Sequence, residues 1–503
     1  MHRDARESFI PSYIFSMNKA MLQLQPSMSA AINPLDLPEI RDIIATFLRK
    51  RDLAQCTRVC RAWHASFLPV LWSSLDFDSL TKPSCVDPKI LEHHCHFVKC
   101  LAYSRWIFRH GTGVTFPNLQ TLHITNINFH LTTLIAQHPQ ITRLTLEAAI
   151  HQSIRRPFWK TAVVSLQSLT DLYLFGGKID KSECPDFWKL CSRLESLKLI
   201  NTLILQEPSD TSLIFANMKN LKMSLVIGLS HDCQLDILVR MPRLTQLNWI
   251  SLAFSGNDAA MDQFVQLVVK GAWPELQGLQ FGISMVSEVA LATILNSTPR
   301  ITMLSVPKVA FSTLPQSALQ RHFPWLKTLE FSTLTTSTSG FVAEILASCP
   351  QLESLMTNSV MRVMAQDIID GRVWACQNSL RVLRLFFLMS DEPTMAARQQ
   401  EGILARLSEC KRLRSLDVGK SDGLYTEHSL DFRLEKGLGQ LAKLSMLEDI
   451  AFAGTVQRMN REEVEWMIQS WKGLASVKGM LNEDRSEMMD LQMMFHVVGI
   501  TTS

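Results

Sequence analysis

FPWLKTLEFSTLTTSTSGFVAEILASCPQLESLMT, residues 323–357, contains one complete period of a pattern that fills most of this chain. At each end of the stretch, a proline precedes leucines in the spacing L-x-x-L, and in the first copy an apolar residue, Phe331, follows two positions later. Apolar residues two positions apart predict a strand with one buried face. Between the two strands, residues 341–349 carry apolar side chains at helical spacing, and Pro350 prevents that helix from continuing. The period is therefore strand, loop, helix and stop.

The same pattern recurs about thirteen times after residue 90. The copies begin at Leu119, Ile141, Leu169, Leu194, Leu221, Leu244, Leu276, Ile301, Leu326, Leu352, Leu380, Leu413 and Leu447. Most are 22 to 28 residues apart, with longer steps after Leu244, Leu380 and Leu413. One such unit can bury its apolar side only against a neighbouring unit. The pattern therefore predicts a solenoid with parallel strands on one side and helices on the other.

These copies resemble the leucine-rich repeat family, in its long form with a helix on the convex side. The Asn or Cys that usually follows the last leucine is not regular here, which predicts a less regular superhelix. The resemblance implies an α/β fold and a concave surface, formed by the residues between the leucines, that binds a protein substrate. In this chain that row is His123, Thr145, Tyr173, Lys198, Asn248, Gln280, Ser305, Glu330, Met356, Arg384 and Asp417. Its mixed charge favours a folded protein or a polar peptide as the ligand.

Three cysteines occupy one position of the repeat. Cys191, Cys349 and Cys410 each precede the first leucine by three residues. Other copies carry large apolar residues there, which we assign as Phe116, Met218, Met241, Trp273 and Phe323. Because a thiol that alternates with such residues occupies a buried position, we predict that these cysteines pack in the core.

The composition limits the classes of function. Hydrophobic residues make up 47% of the 503 residues and charged residues 19%, which is typical of a folded chain. A net charge of +3 does not require nucleic acid as a partner. There is no uninterrupted apolar run of the length that spans a membrane. Eleven cysteines without a secretory signal favour reduced thiols, and hence a cytoplasmic or nuclear protein.

A second pattern lies near the amino end, in LDLPEIRDIIATFLRKRDLAQCTRVCRAWHASF, residues 35–67. One helical face carries five large apolar residues, and charged residues, Arg41 among them, lie at other angles. These five are Ile40, Ile43, Ile44, Phe47 and Leu48. Two further short helices follow. Because three helices of this length cannot cover so many apolar side chains, we expect a second protein to cover the rest.

The order of residues from Leu37 to Trp72 is similar to the F-box motif. F-box proteins are the substrate-receptor subunits of Skp/cullin/F-box ubiquitin ligases, and their helices dock on the Skp-family adaptor. The resemblance implies a set of residues that face the adaptor or hold that face in shape. These are Leu37, Pro38, Ile40, Ile44, Leu53, Val59 and Trp63. An F-box followed by leucine-rich repeats implies a non-catalytic receptor that holds a protein substrate near the cullin-bound machinery.

The sequence divides into four predicted segments. Residues 1–31 are a flexible N-terminal tail, 32–76 a small three-helix F-box domain, 77–481 the curved solenoid, and 482–503 a C-terminal tail or cap.

Other functions remain open at this point. The chain could be a repeat scaffold that binds the Skp adaptor without forming an active ligase, or a hydrolase or metal enzyme whose site lies in the loops. The run HHCHFVKC, residues 93–100, concentrates possible zinc ligands, but it lacks two separated ligand pairs. Nucleotide-binding and G-x-S-x-G motifs are absent. We therefore expect no cofactor, no metal and no catalytic residue.

Overall fold

The computed structural model describes residues 33–77, 87–103, 114–125, 131–149, 152–154, 157–250, 258–282, 286–307, 311–331, 339–357, 362–419 and 430–502. The predicted N-terminal tail, residues 1–31, lies outside these ranges.

The strands follow one another at the period of the repeat. In chain order they are β1 (Ser74–Asp76), β2 (Cys100–Tyr103), β3 (Thr121–Thr125), β4 (Arg143–Glu147), β5 (Asp171–Phe175), β6 (Lys178–Ile179), β7 (Ser196–Ile200), β8 (Leu203–Ile204), β9 (Asn220–Ser224), β10 (Gln246–Ile250), β11 (Gly278–Phe281), β12 (Met303–Val306), β13 (Thr328–Phe331), β14 (Ser354–Thr357), β15 (Arg362–Met364), β16 (Val382–Arg384), β17 (Phe386–Leu388), β18 (Ser415–Asp417), β19 (Asp449–Val456), β20 (Ser476–Met480) and β21 (Thr501–Thr502).

Seventeen of these strands form one parallel sheet. β6 pairs with β8 and β15 with β17 in two small additional sheets. In the main sheet each strand pairs with the strand of the next repeat, so that Leu329 lies beside Leu304 on one side and Leu355 on the other. Those three leucines are fully buried. Each predicted repeat from Leu119 to Leu447 contributes a strand, and the predicted α/β solenoid is confirmed.

The repeat assigned to Leu221 begins three residues earlier than predicted. Leu221 lies beside Leu197 and Leu247, the second leucines of their repeats. Met218 therefore occupies the first-leucine position, and Phe215, not Met218, occupies the buried position three residues before it. Both side chains are inaccessible to solvent. The prediction was wrong because an unbranched methionine fills this core position as well as leucine does, which hides the repeat from a leucine pattern.

Three α-helices precede β1 and pack around a separate small core, and the others form the second, convex layer. Sixteen α-helices lie in the described ranges. They are α1 (Pro38–Phe47), α2 (Lys50–Cys56), α3 (Arg61–Ser73), α4 (Pro88–His94), α5 (Leu131–Gln137), α6 (Phe158–Ser165), α7 (Cys184–Cys191), α8 (His231–Val239), α9 (Asp258–Val269), α10 (Glu288–Ser297), α11 (Thr313–Gln320), α12 (Ser339–Ser348), α13 (Ala365–Asp370), α14 (Pro393–Ser408), α15 (Arg461–Ser470) and α16 (Arg485–Val497). Within the described ranges, none has the length and apolar character needed to cross a membrane.

The sheet extends beyond the predicted repeats at both ends. β1 and β2 precede the repeat that begins at Leu119, and β1 lies inside the segment predicted as the F-box domain. At the other end, the segment predicted as a C-terminal tail or cap contains α16 and β21, and β21 pairs with β20. Phe495 of α16 is fully buried in the core of the solenoid.

Two buried histidines bind the backbone of neighbouring repeats. His138 Nε2 accepts a hydrogen bond from the Phe116 N–H (2.9 Å), while its Nδ1 lies 2.7 Å from the Leu134 carbonyl oxygen. In His322 the two nitrogens exchange roles: Nδ1 accepts from the Ile301 N–H (3.1 Å), and Nε2 lies 2.9 Å from the Leu295 carbonyl oxygen. One nitrogen of each ring must accept and the other must donate, so both imidazoles are held neutral.

The three cysteines of the buried repeat position have no solvent-accessible surface, as predicted. Burial raises the pKa of the Cys410 thiol to about 12 and the pKa of Cys191 well above its usual value. Cys376, also buried, has a pKa raised to about 12 for the same reason. The predicted core role of Cys191, Cys349 and Cys410 is confirmed.

The histidine geometry predicts a loss of stability in mild acid. Burial lowers the pKa of His138 and His322 from the ordinary 6.5, although a backbone carbonyl opposes this effect at each ring. The unfolded chain therefore takes up these protons first, and stability falls as the pH drops through about 6.5 toward the lower folded-state pKa values. As the pH is lowered, we expect the melting temperature of the double variant, His138→Gln with His322→Gln, to fall less than that of the native chain. His64→Gln, which changes an exposed histidine, is the control. If the melting temperature of the double variant fell with pH as steeply as that of the native chain, this role of the two histidines would be contradicted.

Thiol burial predicts which cysteines react with an alkylating reagent. Cys60 is exposed, whereas Cys184, Cys191, Cys233, Cys349, Cys376 and Cys410 are buried. Because the thiolate is the reactive form, buried thiols with a raised pKa should stay unmodified until denaturant is added. Peptide mapping after brief treatment with iodoacetamide should find label on Cys60 and none on the buried six. Labelling of Cys349 at the rate of Cys60 in the native protein would disprove the packing described above.

Candidate protein-interaction surfaces

The three amino-terminal helices enclose a small core of their own. Ala45 of α1, Leu53 of α2 and Phe67 of α3 are its buried members. Trp63 packs on Phe67 with ring centroids 5.3 Å apart. Among the described residues this cluster is separate from the continuous core of the solenoid. The helices therefore form a structural unit at the amino end of the sheet.

Arg41 ties this unit together from inside. Its side chain is buried, which differs from the solvated position that its helical angle predicts. Nε donates to the Ser66 hydroxyl of α3 (2.9 Å), and Nη1 donates to the carbonyl oxygens of Leu35 and Asp36. A buried guanidinium is tolerated only when its donors are satisfied, and these three acceptors come from two separate segments. Arg41 thus fixes the chain that enters α1 against α3.

The unit leaves large apolar side chains in water. Phe47 is 82% exposed, Val59 62% and Ile43 56%. Ile43 and Phe47 are four residues apart and share one face of α1. Burying a large apolar side chain stabilises a protein by about 1.5–3 kcal/mol. The chain does not gain this free energy by its own folding, because its small core takes up Ile44 and Ala45 of α1 and leaves these side chains exposed. We call Ile43 and Phe47 the apolar face.

The structure places the predicted adaptor-binding residues at different depths. Leu37, Pro38 and Val59 are exposed, and Ile40 is half-buried. Ile44 and Trp63 are half-buried against the small core, and Leu53 lies inside it. Leu53 therefore supports the surface from below and does not form part of it.

The list of predicted residues omits the two most exposed apolar side chains of α1. Ile43 and Phe47 belong to the same helical face as Ile44 and Leu48. The helical pattern predicts this apolar face, but it does not show which of its residues remain exposed. Ile44 and Leu48 pack against the core of the unit. The missing information is the position of α3, which only the tertiary structure gives.

The unit joins the solenoid without a loop. α3 ends at Ser73 and β1 begins at Ser74. Trp72 and Leu75 pack against the core of the solenoid, and Lys50 Nζ donates to the Ser74 carbonyl oxygen (2.6 Å). The orientation of the apolar face relative to the sheet is therefore fixed by direct packing.

The histidine-rich run lies at this junction. The His94 ring packs against Trp72 with centroids 4.6 Å apart, and the Cys95 thiol donates to the Glu92 carbonyl. Val98 and Leu101 are buried in the first repeats. In the part of the chain that the structure describes, no three side chains of the ligand-forming types are grouped to hold a metal ion.

The predicted concave residues form one continuous row across the sheet. Each lies beside its counterpart in the next repeat, because the main-sheet strands from β3 to β18 keep the same register. The row also contains Lys222. This residue is missing from the predicted row because the start of its repeat was predicted at Leu221. From amino to carboxyl end the row is His123, Thr145, Tyr173, Lys198, Lys222, Asn248, Gln280, Ser305, Glu330, Met356, Arg384 and Asp417.

Most polar members of this row bind one another. Ser305 donates to Glu330 (2.6 Å), Arg384 pairs with Asp417 (2.8 Å), and Asn248 donates to Gln280. His123 Nε2 lies 3.1 Å from a carboxylate oxygen of Glu147 on the adjacent strand. Neighbouring repeats therefore compensate one another's polar groups across much of the concave surface.

Three solved structures are similar to this chain at low sequence identity. A leucine-rich repeat protein of Leptospira interrogans is 14% identical, with a TM-score of 0.37, over 83% of this chain and 98% of its own. A chain in the crystal structure of the Rad7 and Elc1 complex in yeast is 12% identical, with a TM-score of 0.48, over 94% of this chain and 98% of its own. An internalin of Listeria monocytogenes is 13% identical, with a TM-score of 0.25, over 93% of this chain and 94% of its own. No protein-family model matches the sequence, and no curated protein sequence matches it.

Proposed function

We propose that this protein is the substrate receptor of a Skp/cullin/F-box ubiquitin ligase. The apolar face docks on a Skp-family adaptor, and the concave row of the solenoid binds a protein substrate. Three observations support the proposal: the F-box-like order of residues from Leu37 to Trp72, the apolar face itself, and the rigid junction with a solenoid suited to protein binding.

The exposure of Phe47 is the observation that carries the proposal. An aromatic side chain that is 82% exposed on a well-packed helix is costly in water, and an apolar groove on a partner removes that cost. Ile43 lies one turn earlier on the same face and fits the same groove. Since α1 is held in place by Arg41 and by its packing in the small core, the apolar face is already ordered before the partner arrives, which lowers the entropic cost of binding.

The receptor contributes proximity and no reactive group. A rigid link between adaptor and substrate raises the effective concentration of the substrate at the catalytic subunit. β1 continues directly from α3, so a substrate on the concave row is held at a defined position relative to the adaptor. The proposal places the protein in the cytoplasm, the nucleus or both, where reduced thiols persist.

Replacing Phe47 tests the adaptor interface. We expect Phe47→Ala to weaken binding of a purified Skp-family adaptor at least about thirtyfold, the effect of removing a hot-spot aromatic worth about 2 kcal/mol. The melting temperature should hardly change, because the side chain is exposed in the free protein. Leu314→Ala is the matched control, since Leu314 is 58% exposed on the convex helix α11. Equal adaptor binding by the native chain and Phe47→Ala, measured by calorimetry, would count against the F-box assignment.

Purification of the intact complex tests whether the receptor belongs to a ligase. We expect the native protein to co-purify with both the adaptor and a cullin, and Leu37→Ala with Pro38→Ala to lose both together, because the cullin is reached only through the adaptor. Immunoprecipitation followed by mass spectrometry measures this. If the adaptor is recovered without a cullin, the protein is instead a repeat scaffold that binds the adaptor without forming an active ligase.

A further inference from the structure

One segment of the concave row differs from the rest in its charge. Lys198 on β7 and Lys222 on β9 are direct neighbours in the register of the sheet. Like charges placed opposite each other on adjacent strands are destabilising. Lys198 is exposed and Lys222 half-exposed, and each lies between buried neighbours on its strand, so both are on the concave face of the sheet.

Charged neighbours elsewhere on the sheet are compensated. Arg381 and Arg414 are also adjacent, but Glu353 pairs with the first and Glu448 with the second. Glu195 lies three residues before Lys198, but it pairs with Lys219 (2.8 Å).

The two remaining carboxylates of this region have other partners. A carboxylate oxygen of Glu147 lies 3.1 Å from His123 Nε2, and Asp171 accepts from the Thr170 hydroxyl (2.8 Å). In the described part of the chain, no carboxylate forms an ion pair with Lys198 or Lys222. The two lysines therefore form an uncompensated basic segment.

Apolar surface adjoins this basic segment. Tyr173 lies beside Lys198 in the row, and the Lys198 ammonium is 5.9 Å from the centre of its ring. Phe175, two residues further along β5, is 43% exposed, and it lies beside half-buried Ile200. The surface thus combines two cations with an exposed aromatic side chain in adjacent positions. We call Tyr173, Phe175, Lys198 and Lys222 the basic-aromatic patch.

The backbone next to the patch is fixed. The chain turns directly after Phe175 at Gly176, whose positive φ of 73° favours glycine. A Cβ at that position would lie 1.8 Å from the Ala148 carbonyl oxygen, so no other residue fits. Gly176 N–H donates to the Ile200 carbonyl (2.8 Å), and β6 pairs with β8 just beyond. The patch is therefore ordered before a ligand arrives.

We infer that the basic-aromatic patch binds an acidic peptide segment of the substrate, with its carboxylates on Lys198 and Lys222 and an adjacent apolar side chain on Phe175. Charge complementarity selects the acidic residues, and the exposed ring selects the apolar residue beside them. Each lysine ammonium is a compact point charge that can pair with one carboxylate, and we assign carboxylates as the ligand because they are the anions that peptide side chains carry without modification. This inference deepens the proposed function, on which it rests for calling the ligand a substrate.

Selection from a random peptide library by the purified full-length protein tests the inference. The native chain should enrich peptides with Asp or Glu next to a large apolar residue. Lys198→Glu with Lys222→Glu should lose that enrichment and select Lys or Arg in its place. Lys160→Glu with Lys189→Glu, which makes the same charge change on exposed residues of convex helices α6 and α7, should retain the native preference.

The strongest selected peptide, labelled with fluorescein, then gives the affinities. Each of Lys198→Gln and Lys222→Gln should weaken binding about fivefold, and Phe175→Ala by a similar factor, with the lysine effects shrinking at high salt. Library enrichment without acidic residues, no enrichment at all, or the same preference in the charge-reversed variant would overturn the inference. So would a single-stranded oligonucleotide that binds the patch more tightly than any selected peptide.

These outcomes are separate from those of the adaptor experiment. Peptide selection requires no adaptor, and the Phe47→Ala variant should select the same peptides as the native chain. If acidic peptides bind but the adaptor does not, the inference about the patch is supported and the proposed ligase role is contradicted. If the adaptor binds but no acidic peptide is selected, the proposed ligase role is supported and the inference about the patch is contradicted.

Discussion

The hydrogen-bonded ladder between successive parallel strands is the constraint on which this structure depends. Strands of three to five residues, as in β1 to β5, have no stability alone, and a single strand-loop-helix unit cannot bury its own apolar side. Stacking solves both problems at once, because each strand pairs its backbone with the next repeat while its leucines join a continuous core. The shared register also determines the concave surface. Residues distant in sequence, such as Tyr173 and Lys198, become neighbours because the ladder admits no slip.

The sequence predicts this arrangement well where its physical cause is a repeated apolar side chain. The strands of the main sheet from β3 to β19 follow from leucine spacing, and the buried cysteines follow from their alternation with large apolar residues. The start of the repeat around Leu221 was assigned three residues too late, because Met218 occupies the position of its first leucine. The ladder holds that strand in register all the same, since the neighbouring strands on both sides fix it. The error concealed Lys222, and with it the one pair of uncompensated like charges that the described part of the row contains.

The amino-terminal helices show where a helical pattern ceases to be informative. Periodicity identified five apolar residues on one face of α1, but α3 covers only part of that face. Ile44 and Leu48 enter the small core, while Ile43 and Phe47 stay in water. Arg41 is a polar example of the same difficulty, because the helical pattern did not predict that its side chain is buried. Its burial depends on acceptors from residues 35, 36 and 66, and nothing in the local sequence brings those groups together.

The proposed adaptor and substrate surfaces share a physical feature that the middle of the molecule lacks. The solenoid compensates most of its concave charges within itself, whereas the apolar face and the basic-aromatic patch each carry a cost that the chain leaves uncompensated. A partner at either surface removes that cost. The two surfaces are also held at a set separation, because β1 continues α3 without a loop and five inter-strand steps lead from β1 to β7. At about 4.8 Å per step, that is roughly 24 Å along the sheet. A ligand on Lys198 is therefore positioned relative to a partner on Phe47 by the strand ladder itself, so the interaction that folds the repeats also sets the geometry of the proposed receptor.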